Sequence, residues 1–312
     1  MDSRGFLLKK HKAITSVAGL IQTVVADGGY IYTTVDKWNT FTQRTSAGSN
    51  GWTSVAISQT DPLIQTAVAY NGYIYTTTNG WVTFTQRTSV GSRAWFSVAM
   101  SATNPLIQTA VSNGSNICTT TDGWATFTTR INGSWRSVAM SSDSLIQTAA
   151  VANNSGYLFT TTNGWSTNTQ RTSVGNKRWC SIAISASNPL VQTAVTDNEK
   201  IYVTTDGWAT FTAKTNSNNA WRSVAMSATN PLIQSAVINN GYIHTTNDGW
   251  DTFTQHTSVG SRAWSSVAIS QIDHLVQTAV AGGSLYTTTN GWQTFETAVV
   301  FGNISGQVAV GN

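Results

Sequence analysis

Short apolar runs alternate with polar turn segments along the whole chain, and no stretch shows the 3.6-residue period of an amphipathic helix. Between residues 52 and 89, four strand-like runs follow one another, each bounded by turn residues. We call these positions a, b, c and d, and they are Trp52–Ser58, Leu63–Ala69, Tyr73–Thr78 and Thr83–Ser89. The pattern predicts an all-β chain of short antiparallel strands.

A tryptophan recurs just after the turn between positions c and d, at intervals of 41 to 43 residues. The seven copies are Trp38, Trp81, Trp124, Trp165, Trp208, Trp250 and Trp292. Four strands in a repeat of about this length are typical of a propeller blade. We therefore predict a seven-bladed β-propeller of four-stranded antiparallel blades, folded as a single domain over residues 1–312 with repeats of about 42 residues.

The two ends of the chain predict how such a ring closes. Position a occurs once more at the C-terminus, as Gly306-Gln307-Val308-Ala309-Val310. We expect a strand over 305–310 to complete the first blade, whose other strands come from residues 20 to 46. This pairing of N- and C-terminal segments would remove an exposed sheet edge.

A second set of aromatic residues predicts a binding face. A tryptophan begins position a in six repeats, and a tyrosine begins position c in four. Because successive strands run antiparallel, the d–a and b–c loops should emerge on one face. Polar and basic residues precede several of the tryptophans. The candidate set is Trp52, Trp95, Trp135, Trp179, Trp221, Trp264, Tyr30, Tyr73, Tyr157, Tyr242, Ser92, Arg93, Arg178, Ser261 and Arg262.

Aromatic rings that stack on the apolar face of a sugar, beside donors for its hydroxyl groups, form a shallow carbohydrate site. The alternative for the tryptophans of position a is a packing role between blades. The tryptophans of the c–d turns are secondary candidates, for which packing is favoured. Ser305 takes the tryptophan position in the remaining repeat, so we expect that site to be missing or altered.

The composition narrows the classes of partner. Charged residues make up 10% of the chain, against roughly 25% in an ordinary soluble domain. A surface of Thr, Ser, Asn and Gln with a net charge of +4 suits neutral hydrogen-bonding ligands better than nucleic acid. Cys118 and Cys180 are expected to be free, half-buried thiols. The N-terminus lacks a secretory signal, which favours synthesis in the cytoplasm, with release by another route left open.

The turn Thr-x-Asn/Asp-Gly-Trp-x-Thr-Phe resembles the Asp-box of neuraminidase-type repeats, Ser-x-Asp-x-Gly-x-Thr-Trp, which raises the question of glycosidase activity. Glycosidases need two carboxylates beside the scissile bond. The two glutamates, Glu199 and Glu296, lie at unrelated positions of the repeat, and most aspartates lie in turns. We therefore expect no enzyme activity, and we expect neither a metal nor a cofactor, since the histidines show no metal-binding spacing.

Four recurring segments together resemble the seven-bladed propeller lectins of Photorhabdus. They are Trp-x-Ser-Val/Ile-Ala-Ile/Met-Ser, Leu-Ile-Gln-Thr-Ala-Val, Tyr-Ile-Tyr-Thr-Thr-Thr-Asn-Gly-Trp and Thr-Phe-Thr-Gln-Arg-Thr-Ser, and the resemblance spans residues 13 to 312. It implies multivalent binding of L-fucose or O-methylated sugars between blades, without catalysis or membrane insertion. It also implies self-association, a bacterial origin and interaction with glycans of host or bacterial surfaces. A glycosidase of the sialidase type and a propeller that binds peptides remain the alternatives.

Overall fold

A computed structural model of the protein describes residues 21–152, 155–214, 218–300 and 306–311. The two ends of the predicted 1–312 domain, and Ser305, lie outside these residues. The described chain is all-β, with antiparallel strand pairing, as predicted. It contains no helix with the length and apolarity needed to span a membrane.

The strands follow the sequence repeat, and we number the repeat units 1 to 7. Unit 1 contains β1 (Gln22–Gly29), β2 (Ile31–Thr34) and β3 (Thr42–Arg44), and unit 2 contains β4 (Asn50–Ile57), β5 (Gln65–Ala69), β6 (Ile74–Thr77) and β7 (Thr85–Arg87). Unit 3 contains β8 (Trp95–Met100), β9 (Gln108–Ser112), β10 (Ser115–Thr120) and β11 (Thr128–Gly133), and unit 4 contains β12 (Trp135–Met140), β13 (Gln147–Val151), β14 (Leu158–Thr161) and β15 (Thr169–Arg171). Unit 5 contains β16 (Trp179–Ile184), β17 (Gln192–Glu199), β18 (Ile201–Thr204) and β19 (Thr212–Ala213). Unit 6 contains β20 (Asn219–Met226), β21 (Gln234–Gly241), β22 (Ile243–Thr246) and β23 (Thr254–His256), and unit 7 contains β24 (Arg262–Ile269), β25 (Gln277–Ala281), β26 (Ser284–Thr288) and β27 (Glu296–Val300). The last strand is β28 (Gly306–Val310), and short 3₁₀ turns occupy Thr45–Ala47, Thr88–Val90, Thr172–Val174 and Thr257–Val259.

Unit 2 shows how well the pattern predicted the strands. Positions b and c match β5 and β6 to within two residues. Position a begins two residues earlier than predicted, because β4 starts at Asn50 and pairs there with the end of β1. Position d is shorter than predicted, because Thr88–Val90 turns into a 3₁₀ turn that ends at Gly91 with a φ of 86°.

Strands pair antiparallel with their sequence neighbours inside each unit. The C-terminal strand β28 pairs with β1, placing Val308 opposite Val24. Antiparallel strand pairing also joins successive units, where β1 pairs with β4, β17 with β20 and β21 with β24. These crossings merge the units into sheets of eight, four, four and twelve strands.

The hydrophobic core lies in the seams between units. Each cluster of buried side chains combines residues from two successive units, such as Val25 and Ile31 of unit 1 with Trp52 and Trp81 of unit 2. A further cluster joins Val280 and Leu285 of unit 7 to Val24 and Val308. A unit alone would leave its seam residues exposed, so neighbouring units stabilise one another.

The strands at position a lie beside one another. Each of β4, β8, β12, β16, β20 and β24 contacts the next, and β28 contacts both β24 and β4. Small hydroxyl side chains allow this approach and bond across it, as Ser54 Oγ accepts from Val98 N at 3.3 Å and Ser266 Oγ accepts from Val308 N at 3.3 Å. Cys118 and Cys180 are free, as predicted, and both are fully buried instead of half-buried.

Candidate functional site

The d–a and b–c loops lie side by side at the boundaries between units, as strand alternation predicts. Gly72 pairs with Arg93 and Gly156 with Lys177 across two of these boundaries. The exposed Ser92 donates from Oγ to the carbonyl of Asn71 at 3.1 Å, so a side chain reinforces the pairing. Ser261 is exposed at the corresponding position of unit 7.

The six tryptophans of position a are not on this face. Trp52, Trp95, Trp135, Trp179, Trp221 and Trp264 are each at most 1% exposed. Most lie edge-on against the aromatic ring of position c in the same unit, as Trp52 does with Tyr75 at 4.9 Å between centroids. The predicted stacking of a sugar on these rings is therefore corrected: protein atoms already cover both faces, and packing between units accounts for the tryptophans.

The four tyrosines that begin position c are partly exposed. Tyr30 packs against the seam between units 7 and 1, and Tyr73 packs against the seam between units 1 and 2. Tyr157 and Tyr242 occupy the same position in units 4 and 6. These tyrosines are therefore on the surface, but the tryptophans that were predicted to share a binding face with them are buried.

The basic residues of the loops cover aromatic rings. The guanidinium carbon of Arg262 lies 4.6 Å from the ring centroid of Tyr286. That of Arg93 lies 5.3 Å from Trp95, and Arg93 also donates to Ser115 Oγ at 3.2 Å. Such cation–π contacts occupy the surface that a sugar would need. Arg178 instead forms an ion pair with Asp197 at 2.9 Å.

The tryptophans of the c–d turns are core residues too. Trp38, Trp81, Trp124, Trp165, Trp208, Trp250 and Trp292 are at most 3% exposed. Trp81 Nε1 donates to Gln65 Oε1 at 2.6 Å, and its backbone N donates to Thr77 Oγ1 at 3.0 Å. The favoured packing role describes these residues, which hold each hairpin in place.

Open grooves lie beside these hairpins at three successive boundaries. We call them hairpin grooves 5–6, 6–7 and 7–1, after the units that form them, and their volumes are about 250, 280 and 210 Å³. Equivalent residues recur in them. The phenylalanine of position d is Phe211, Phe253 or Phe295, and threonines of positions c and d surround it.

The groove between units 6 and 7 illustrates their chemistry. Phe253 is 47% exposed and is held by an edge contact with His244 at 5.4 Å. Leu275 lies on the opposite wall at 42% exposure, and the amides of Asn247 and Gln293 complete the rim. An exposed aromatic face with neutral donors and acceptors is thus present on the hairpin side of the molecule.

Sequence reasoning missed the phenylalanines. They recur as Phe41, Phe84, Phe127, Phe211, Phe253 and Phe295, with Asn168 in unit 4. The available signal was a large apolar residue on the outermost strand, where few partners exist to bury it. Within the described residues, no three His, Cys, Asp or Glu side chains are grouped as a metal site requires.

Comparisons with known proteins show the fold. YCF48 from Cyanidioschyzon merolae is 16% identical with a TM-score of 0.61, over 80% of this chain and 86% of that one. A structure of YCF48 bound to D1 peptide is 15% identical with a TM-score of 0.61, over 84% and 93% of the two chains. The GH74 xyloglucanase from Xanthomonas campestris is 11% identical with a TM-score of 0.72, over 94% of this chain.

These structures are β-propellers, and the chain therefore has a β-propeller fold. The chain spans 52% of the xyloglucanase, and 62% of the GH74 enzyme from Niastella koreensis, which is 15% identical with a TM-score of 0.50. No protein-family model and no curated protein matches the sequence.

Proposed function

We propose that this protein is a multivalent carbohydrate-binding protein that holds neutral sugars, such as L-fucose or O-methylated sugars, in the hairpin grooves. The observation that supports it is the recurrence of one groove, with one partly or half-exposed phenylalanine, at three successive boundaries. A catalytic centre needs to occur once, whereas a weak binding site gains from repetition.

The groove chemistry supports a sugar with an apolar patch. The ring of Phe253 offers a stacking face for C–H groups, and the threonine hydroxyls around it can donate to and accept from sugar hydroxyls. Leu232 and Leu275 are half-exposed on the groove walls and provide contact for a methyl group. L-fucose and O-methylated sugars each carry such a methyl group.

The mechanism is multivalency on a rigid scaffold. A single shallow groove binds weakly, but several grooves that engage one glycan-bearing surface raise the effective concentration of each later contact. Grooves formed by strands and tight hairpins need little ordering on binding. Glycans on host or bacterial cell surfaces are ligands of this kind, and self-association of the protein would add further sites.

The units are inferred to close into a seven-bladed ring. This inference rests on the pairing of β28 with β1 and on the seam that joins unit 7 to unit 1. The hydrogen bond from Thr278 Oγ1 to Gln22 Oε1, at 2.7 Å, repeats the bond from Thr23 Oγ1 to Gln65 Oε1 at the next boundary. Closure would give every blade a neighbour on both sides.

A glycan array followed by a variant that copies a natural hairpin tests the proposal. The variant combines Phe211→Asn, Phe253→Asn and Phe295→Asn. Three repeats thereby acquire the residue that unit 4 carries naturally, Asn168. Because three stacking faces are lost, we expect the apparent affinity for the best immobilised glycan to fall about tenfold or more. Free L-fucose should inhibit binding of the unmodified protein.

Ile272→Asn is the control, because Ile272 is 47% exposed and lies outside the three described grooves. The control should bind normally. The triple variant should unfold at a lower temperature than the parent, because Phe211 and Phe295 pack against core clusters, so binding is measured well below its unfolding temperature. Unchanged avidity in the triple variant, with normal folding, would place the sites elsewhere. Incubation with chromogenic glycosides tests the glycosidase alternative.

A further inference from the structure

One position breaks the symmetry of the repeats. The residue directly after the tryptophan of position a differs from unit to unit, while the residues around it repeat. In units 2 to 7 it is Thr53, Phe96, Arg136, Cys180, Arg222 and Ser265. Because this position varies while its neighbours repeat, packing within the unit does not dictate which residue stands there.

These side chains meet in a single cavity. All of them line a space of about 360 Å³ where the strands of position a lie beside one another, and we call this space the axial cavity. Its volume is within the range of small-molecule sites. Unlike the hairpin grooves, the axial cavity draws on many units at once. A second space of about 260 Å³ lies along the same strands, but none of its described lining residues is charged.

Positive charge dominates one side of the axial cavity. Arg222 donates to Asp197 Oδ2 at 3.0 Å, and Asp197, whose side chain is 3% exposed, also pairs with Arg178. One carboxylate is thus shared by two guanidinium groups. Arg136, which lines the same cavity, forms no hydrogen bond or ion pair with any other described residue.

Arg136 and Arg222 line the same cavity as the thiol of Cys180. Burial raises the pKa of Cys180, while the nearby guanidinium groups of Arg136 and Arg222 act in the opposite direction. They can approach a single anion together, which is the arrangement that carboxylate recognition favours.

Apart from the carboxylate of Asp27, the remaining walls are apolar or neutral. Phe96 is fixed by an edge contact with Tyr70 at 5.6 Å between centroids. Thr53, Asn239 and Gln307 add hydroxyl and amide groups. A ligand ring with one apolar face, several hydroxyl groups and one carboxylate could contact Phe96, the hydroxyl and amide groups, and the arginines, respectively.

We propose that the axial cavity binds one small hydroxylated carboxylic acid of the uronic-acid type, with the carboxylate at Arg136 and Arg222 and the sugar face towards Phe96. This site is separate from the hairpin grooves and does not depend on the proposed function of those grooves. Its ligand is anionic and binds once per chain, whereas the groove ligands are neutral and bind several times.

Isothermal titration calorimetry with D-galacturonate as the probe tests the proposal on the full chain. We expect saturable binding of one molecule per chain, weakened by added salt, and no such event with D-galactose, which lacks the carboxylate. Arg136→Gln should weaken binding about tenfold or more, since it removes a charge-assisted hydrogen bond. Arg130→Gln is the charge-matched control outside the cavity and should bind like the parent.

Several results would overturn the assignment. They are absence of galacturonate binding to the parent protein, equal binding by Arg136→Gln, and equal binding of D-galactose. Competition by excess L-fucose would mean that galacturonate occupies the grooves. Equally tight binding of N-acetylglutamate would mean that the cavity recognises a carboxylate without the sugar ring. A protein that binds galacturonate but not L-fucose would contradict the groove proposal and leave the cavity proposal standing.

Discussion

At the scale of single residues, the seams depend on a buried glutamine. Gln65 Oε1 accepts from Trp81 Nε1 at 2.6 Å and from Thr23 Oγ1 of the preceding unit at 2.7 Å, and its amide donates to the carbonyl of Pro62 at 2.8 Å. The indole bond anchors Trp81 in a left-handed backbone conformation, with a φ of 68°. That conformation costs roughly 1–2 kcal/mol for an L-residue, which the burial of the indole ring offsets.

Replacing this glutamine tests the network, with a second glutamine of the same chain as the control. Gln65→Leu leaves an indole N–H and a threonine hydroxyl buried without their acceptor, at about 1–3 kcal/mol each. Gln147→Leu removes the acceptor of Trp165 only, because the hydroxyl of Thr109 already has no partner among the described residues. We expect urea unfolding to show a larger loss for Gln65→Leu, by about 1 kcal/mol. Equal losses of unfolding free energy in the two variants would mean that the hydrogen bond from Thr23 to Gln65 does not stabilise the fold.

At the scale of the element, the Asp and Asn hairpins have the same geometry, but the hydrogen bond between the Asp or Asn side chain and the threonine hydroxyl runs in opposite directions. In unit 3, Asp122 accepts from Thr126 N at 2.9 Å and from Thr126 Oγ1 at 2.6 Å. In unit 2, Asn79 accepts from Thr83 N at 2.9 Å but donates from Nδ2 to Thr83 Oγ1 at 2.8 Å. The threonine hydroxyl can act as donor or acceptor, so the hairpin tolerates both residues.

The aspartate hairpins predict an acid-sensitive part of the stability. Hydrogen bonds from threonine lower the pKa values of Asp122, Asp206 and Asp248 to about 2, from 3.8. A lowered pKa in the folded state stabilises the fold above pH 3.8, and this contribution is lost as the pH falls towards 2. Replacing all three by Asn should therefore flatten the decline of the unfolding temperature between pH 4 and pH 2.

The reverse exchange provides the control for the hairpins. Changing Asn79, Asn163 and Asn290 to Asp should make the acid decline steeper, because it adds three carboxylates of the same kind. At pH 7 both variants should unfold near the temperature of the parent. An acid profile identical in all three proteins would show that these bonds do not stabilise the ionised carboxylates.

At the scale of the whole molecule, the C-terminal strand connects the two ends of the chain. Val308 and Val310 of β28 are 7% exposed, and β28 contacts the strands β1, β4, β24 and β25. Removing it exposes the edge of β1 and the seam between units 7 and 1. The loss extends over two boundaries of the inferred ring.

Deletion of residues 303–312 tests closure. We expect the unfolding temperature to fall by about 10 °C or more, since apolar area and strand pairing are lost together. Adding a synthetic peptide of the deleted sequence should restore part of this loss. An unchanged unfolding temperature, or a peptide without effect on a destabilised chain, would contradict closure by this strand.

The sequence by itself determined the repeat, the strand order and the hairpins, because turn residues and alternating apolar runs act locally. It placed positions b and c of unit 2 well, and it identified β28 as another strand of position a. It could not determine which aromatic residues are exposed. Both faces of a strand pack against a neighbouring unit here, so alternation does not distinguish Trp95, which is buried, from Phe253, which is half-exposed.

Only the tertiary structure decided where grooves and cavities lie. The hairpin grooves form where Phe253 of one unit meets Leu275 of the next, residues of different repeats that no local pattern links. The axial cavity gathers Arg136, Cys180 and Arg222 from three units because their strands, β12, β16 and β20, lie beside one another. The physical reason is that a repeat fixes its own strands, whereas a site between repeats depends on which side chains the packing of neighbours leaves uncovered.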